Sequence, residues 1–115
     1  MSRVKNLVTS EWLIKNHDWS DLKICDATYF LATHKRDAKA EYLANHISGA
    51  IRFDIDSIKN PASDLPHMLP TAQQFEAHMQ KLGINNNDIV IVYDNSPFLS
   101  AARAWWLLRM FGHER

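Results

Sequence analysis

The sequence predicts an α/β fold, an open parallel β-sheet with helices on both faces, and three observations predict it. Short apolar runs at 22–27, 50–53 and 89–93 alternate with helix-forming stretches, the order that right-handed β-α-β crossovers require. The run Ile89 to Tyr93 is an unbroken apolar series rich in β-branched residues, as in a parallel strand covered on both faces, so it is expected in the middle of the sheet. The length of 115 residues and the apolar content of 46% suit one compact domain, 1–115, with a single core.

The elements follow in order. Thr9 or Ser10 can cap a short helix that continues through Trp12, Leu13 and Asn16, with Glu11 at its positive end, and this helix reads as a lid rather than core. Leu22 to Ala27 is a short buried strand, and Tyr29 to Lys35 a loop. Asp37 caps a helix that runs to about Asn45, and Ala50 to Phe53 makes the second strand. The segment Asp54 to Pro70 holds three of the four prolines and three acidic residues. It is expected to be a long ordered loop, because Ile55, Ile58, Leu65, Met68 and Leu69 give it apolar groups to bury. Thr71 with Gln74 forms a capping-box pair, and Phe75, Met79 and Leu82 lay one apolar stripe on a helix that Gly83 ends. Asn85 to Asn87 is a turn. Ser100 opens the last helix, Ala101 to Phe111, which is apolar on nearly every face apart from Arg103 and Arg109 and is expected to be buried almost all round.

Composition excludes several classes of function. Thirteen basic residues balance thirteen acidic ones, so no long-range field draws nucleic acid or an anionic membrane, and neither is expected as a partner. One cysteine, Cys25, cannot form an internal disulfide, which fits a reducing, cytoplasmic setting. Ligands in open α/β sheets bind beyond the carboxyl ends of the strands, which directs attention to Asp94 to Leu99. The three glycines are isolated and form no phosphate cradle. The six histidines show no metal-ligand spacing, and Asp54-Ile55-Asp56 lacks the later ligands of a calcium loop, so neither a metal nor a cofactor is expected. Cys25 in an apolar strand reads as a small buried hydrophobe with a raised pKa, and Ser96 and Ser100 lack the glycine elbow of a serine hydrolase.

A set of motifs runs nearly the whole length: Val8-Thr9-Ser10-Glu11-Trp12-Leu13, Asp26-Ala27, His46-Ile47-Ser48-Gly49-Ala50, Phe53-Asp54-Ile55-Asp56, Pro66-His67-Met68-Leu69-Pro70, Leu82-Gly83-Ile84, Val92-Tyr93-Asp94, Arg103-Ala104-Trp105-Trp106 and Phe111-Gly112-His113. With them the chain resembles the N-terminal rhodanese domain of tandem-domain sulfurtransferases, the thiosulfate and 3-mercaptopyruvate enzymes. Ser48 departs from the family, which usually has proline there.

The resemblance implies a rhodanese-like sheet that is C-terminally incomplete, a domain of the non-catalytic N-terminal type that stops before its last strand. Family members carry sulfur as a cysteine persulfide at the start of the loop after the central strand, where this chain has Asp94, so the chain alone is expected to be inactive. The whole enzyme would move sulfur from 3-mercaptopyruvate or thiosulfate to a thiol or cyanide. Its cysteine would belong to a C-terminal rhodanese domain, and a thiol acceptor such as thioredoxin is a further expected partner. Asp56 and His67 match an Asp and a His proposed in the family to relay protons to the catalytic loop, the carboxylate fixing the imidazole tautomer. Trp105 and Trp106 are expected in core and domain-interface packing. The alternative is a rhodanese-like binding or regulatory module without catalysis. The sequence leaves open the preferred donor, the acceptor and the oligomeric state.

Overall fold

The computed structural model describes residues 7–31, 35–62, 68–96 and 100–113. Seven elements succeed one another: α1 (Ser10–Asn16), β1 (Leu22–Asp26), α2 (Ala38–Ala44), β2 (Ile51–Arg52), α3 (Ala72–Leu82), β3 (Ile89–Tyr93) and α4 (Ser100–Met110). Local chemistry sets the helix ends. The Thr9 hydroxyl accepts from the Trp12 N–H at 3.0 Å, and the Asp37 carboxylate accepts from the Ala40 N–H at 3.0 Å. At α3 the capping box is complete in both directions, and Gly83 closes the helix with φ at 77°, a left-handed conformation that glycine adopts without penalty.

The strands are parallel and lie in the order β2-β1-β3. Leu22 pairs with Ile89 and Asp26 with Tyr93, while Cys25 and Asp26 pair on their other side with Ile51 and Arg52. Here the sequence-based expectation is corrected: β1, not β3, is the middle strand of the described sheet. Apolarity alone does not encode strand order. Lys23 disguises β1 as less interior than it is, because its stem is largely covered while its ammonium lies 3.6 Å from the Asp88 carboxylate. β3 is fully covered only at Ile89, and Val90 to Tyr93 are half-buried.

Side chains alternate across the sheet, so each strand feeds two apolar layers. Leu22, Ile24 and Ile89 meet Ala50 on one face, where Trp12 and Leu13 of α1 and Tyr42 of α2 pack against them. Cys25 and Ala27 on the other face meet Phe53, Ile55, Ile58, Phe75 and Met79 of α3, and Ala104, Leu107 and Leu108 of α4. Helices thus cover both faces, as the sequence predicts. α1 contributes no fully buried residue and meets the core only through partly buried side chains such as Trp12 and Leu13.

Two further expectations are corrected. α4 buries only the stripe Ser100, Ala104, Leu107 and Leu108. Trp105, Trp106 and Met110 remain 39%, 40% and 49% exposed, because a helix lying on a sheet covers one stripe and not its whole circumference. Each indole has a cation over it, Arg109 at 4.9 Å from the Trp105 ring and Arg103 at 5.2 Å from that of Trp106. In the loop after β2, Ile55 and Ile58 are buried but Met68 and Leu69 are exposed. A bond from the Asn60 N–H to the Met68 carbonyl, 2.9 Å long, ties the middle of that loop to the segment that leads into α3. Leu65 lies outside the described residues.

Candidate active site

The carboxyl ends of β1 and β3 lie side by side, and the segments leaving them, 26–29 and 94–96, are joined by hydrogen bonds that extend the sheet. The Ala27 N–H donates to the Tyr93 carbonyl at 2.8 Å, and the Asn95 N–H to the Thr28 hydroxyl oxygen at 2.9 Å. Thr28 is itself fixed by its N–H donating to Asp26 Oδ1 at 2.9 Å. A relay of hydroxyls crosses from one segment to the other. The Tyr29 N–H donates to Ser96 Oγ at 3.3 Å, Ser96 and Ser100 are hydrogen-bonded through their hydroxyls, and Ser100 Oγ donates to the Ala27 carbonyl at 2.7 Å. Ser100 has one hydroxyl hydrogen and gives it to Ala27, so Ser96 is the donor within the pair.

Asp94 opens the loop after β3. Its Oδ1 accepts from the Ser96 N–H at 3.1 Å and its Oδ2 from the Ala101 N–H at 2.7 Å. Ala101 lies in the first turn of α4, where backbone N–H groups have no partner within the helix and the dipole favours an anion. The loop thereby holds one negative charge against two backbone donors.

Asp56 sits at the mouth of the same edge. It is exposed, its N–H donates to Asp54 Oδ1 at 3.0 Å, and the Lys59 ammonium is 3.8 Å from its Oδ1. Its charge reaches Tyr29: burial first and then Asp56 push the phenol above its ordinary pKa of 10.0. Asp54 is occupied in the turn, accepting the Ser57 hydroxyl at 2.9 Å. His67 lies outside the described residues, so the expected Asp56–His67 pair does too. Among the described residues no three His, Cys, Asp or Glu side chains are grouped so as to hold a metal ion.

Cys25 is placed as the sequence predicts, fully buried in β1. Burial, and after it the charge of Asp26, push its thiol up to about 12, so almost no thiolate exists at neutral pH. Arg52, which no sequence motif singles out, flanks the site. Its Nη1 donates to the Asp26 carbonyl at 3.0 Å and lies 3.8 Å from the Asp26 carboxylate, with both side chains largely buried. No local motif marks that pair, because it joins neighbouring strands.

The profile of the rhodanese-like domain matches residues 9–115. The chain belongs to the rhodanese family. Thiosulfate/3-mercaptopyruvate sulfurtransferase 1, mitochondrial, of Arabidopsis thaliana is 44% identical over 115 residues, all of this rhodanese domain and 30% of that protein. The 3-mercaptopyruvate sulfurtransferase of Escherichia coli K12 is 41% identical over 109 residues, 94% of this chain and 39% of its own. Among solved structures, E. coli SseA, a 3-mercaptopyruvate sulfotransferase with the rhodanese fold, superposes with a TM-score of 0.85 at 42% identity, covering 91% of this chain and 40% of that one. The sulfur transferase subunit of yeast mitochondrial complex I superposes at 0.86 and 36% identity, covering 96% and 37%. This rhodanese domain therefore spans roughly a third of the length of the relatives it matches.

Proposed function

We propose that this rhodanese domain is the non-catalytic, N-terminal half of a tandem-domain sulfurtransferase, which moves sulfur from 3-mercaptopyruvate or thiosulfate to a thiol or cyanide through a cysteine persulfide on a second rhodanese domain. Asp94 carries this reading: it stands at the start of the loop after β3, where the family resemblance puts the sulfur-carrying cysteine, and its carboxylate takes two backbone donors, one from that loop and one from the first turn of α4. A carboxylate has no sulfur with which to form a persulfide. The single cysteine, Cys25, is buried with its thiol protonated, and it cannot substitute.

In this scheme the thiolate of the second domain attacks the donor sulfur. An S–S bond forms, the C–S bond of 3-mercaptopyruvate breaks, and the electron pair leaves as the enolate of pyruvate, which takes up a proton. On the family resemblance the roles fall to Asp56 and His67, the carboxylate orienting the imidazole and the imidazole delivering that proton. Tyr29, tied to Ser96 and within the field of Asp56, forms part of the same wall. A small thiol protein such as thioredoxin suits the acceptor role, and a reducing, cytoplasmic compartment suits a chain whose one cysteine is unpaired.

The test measures pyruvate and sulfide release from 3-mercaptopyruvate with a thiol acceptor, for the chain alone and for the chain fused to a cysteine-bearing C-terminal rhodanese domain. Turnover is expected only in the fusion. His67→Ala is expected to lower kcat there by roughly a hundredfold or more, the scale of a lost general acid. Turnover by the isolated chain contradicts the proposal, as does a His67→Ala fusion with undiminished kcat.

A further inference from the structure

Outside that edge, the loop after β2 and the outer face of α3 enclose a depression of about 350 Å³, lined by Ser57, Lys59, Pro61, Gln74, His78 and Lys81. Gln74, His78 and Lys81 recur at intervals of four and three and so share one face of α3, away from the buried Phe75 and Met79. Among the described lining residues the ionisable side chains are Lys59, His78 and Lys81 and none is a carboxylate, while Asp54 and Asp56 touch the lining from outside through Ser57 and Lys59. A concavity lined by one sign of charge concentrates counter-ions.

The hydrogen bonding around the depression also favours an anion. Gln74 Oε1 is engaged by the Thr71 N–H at 2.9 Å as half of the capping box, so the part of that amide left for a ligand is its NH₂ group, a donor. Ser57 gives its hydroxyl hydrogen to Asp54 and forms wall. Lys59 lies 3.8 Å from Asp56 in an exposed pair, its side chain 36% and that of Asp56 63% accessible. Pairs of that kind bind weakly, so the ammonium can turn towards a ligand.

We propose that this depression binds a small tetrahedral oxyanion, held between Lys59 and Lys81 with donors from Gln74 and His78, and that the bound anion draws Lys59 away from Asp56. The ligand class is shared by inorganic phosphate and by sulfur oxyanions, and the proposal stands independently of the sulfur-transfer reading.

The test is a titration of the ¹⁵N-labelled full chain with sodium phosphate and, separately, sodium thiosulfate, at constant ionic strength set with chloride. Saturable shifts of the backbone amides at 56–60 and 74–81 are expected. Lys59→Ala and Lys81→Ala should each weaken binding roughly threefold to tenfold, the range between an exposed ion pair and a charge-assisted hydrogen bond. The double variant should not saturate, and Lys15→Ala on α1 should titrate as the wild type. Circular dichroism of the variants separates lost binding from lost fold. Tighter binding of thiosulfate supports the site with sulfur oxyanions as its ligand, and tighter binding of phosphate supports it with phosphate. Shifts that stay linear with both salts overturn the proposal, and so does an equal loss of binding on Lys15→Ala.

Discussion

Asp94 has a structural role that its hydrogen-bond partners define. Its carboxylate takes two backbone N–H groups, one from the first turn of α4. Asp94→Ala leaves both without that acceptor and is expected to cost about 1–2 kcal/mol, on the scale of a lost helix cap, with Asp94→Asn costing less because one acceptor oxygen remains. Urea unfolding followed by tryptophan fluorescence measures it, and an unchanged midpoint for Asp94→Ala would contradict the assigned role. Cys25 makes a prediction about pH. The unfolded thiol ionises near about 8.5, whereas the folded one holds its proton to about 12. Its contribution to stability is therefore complete below the unfolded value and declines as pH rises through that window, since there the folded state binds the extra proton. Urea midpoints should fall between about pH 8 and 9.5 in the wild type and fall less in Cys25→Ala, while the raised phenols of Tyr29 and Tyr93 are still protonated. Parallel slopes for the two proteins would refute this account of Cys25.

Among the elements, α3 and α4 give opposite lessons. The capping box, the Phe75/Met79 stripe and the Gly83 stop of α3 are all interactions within a few residues, which is why the sequence discloses them in full. Thr71→Ala should cost about 1 kcal/mol, read from the thermal midpoint. α4 misleads, because its apolar residues outnumber the positions a sheet can cover. Leu107 is fully buried and Trp106 is 40% exposed. Leu107→Ala should cost about 2–5 kcal/mol and Trp106→Ala clearly less, although tryptophan is the larger side chain. Equal losses in denaturant unfolding would mean that the Trp106 face is covered in solution. The site follows the same division. Asp94 and the buried character of Cys25 could be read from their neighbours in sequence. The Ser96–Ser100–Ala27 relay and the Arg52–Asp26 pair could not, because they join segments that meet only after the crossovers have formed.

For the whole molecule, the departure from expectation is the strand order. Hydropathy along β3 matches that of an interior strand, yet in the described sheet β1 is the strand with a neighbour on each side. Backbone amides of Ile24 and Cys25 should accordingly be the slowest to exchange with deuterium, and those of the two-residue β2 among the fastest in the sheet. The reverse order would disprove this topology. The central place of β1 also governs how the chain acquires its shape. β1 is synthesised well before β3, and the partners of its exit segment are distant, Thr28 meeting Asn95 across 67 residues of chain. On the ribosome, a nearly complete α1-β1-α2-β2 segment must therefore persist with one side of β1 unpaired until β3 emerges, at about 5–20 residues per second. Pairing with β3 then covers the second side of β1, and for the several seconds before it does, that unpaired edge is open to neighbouring chains.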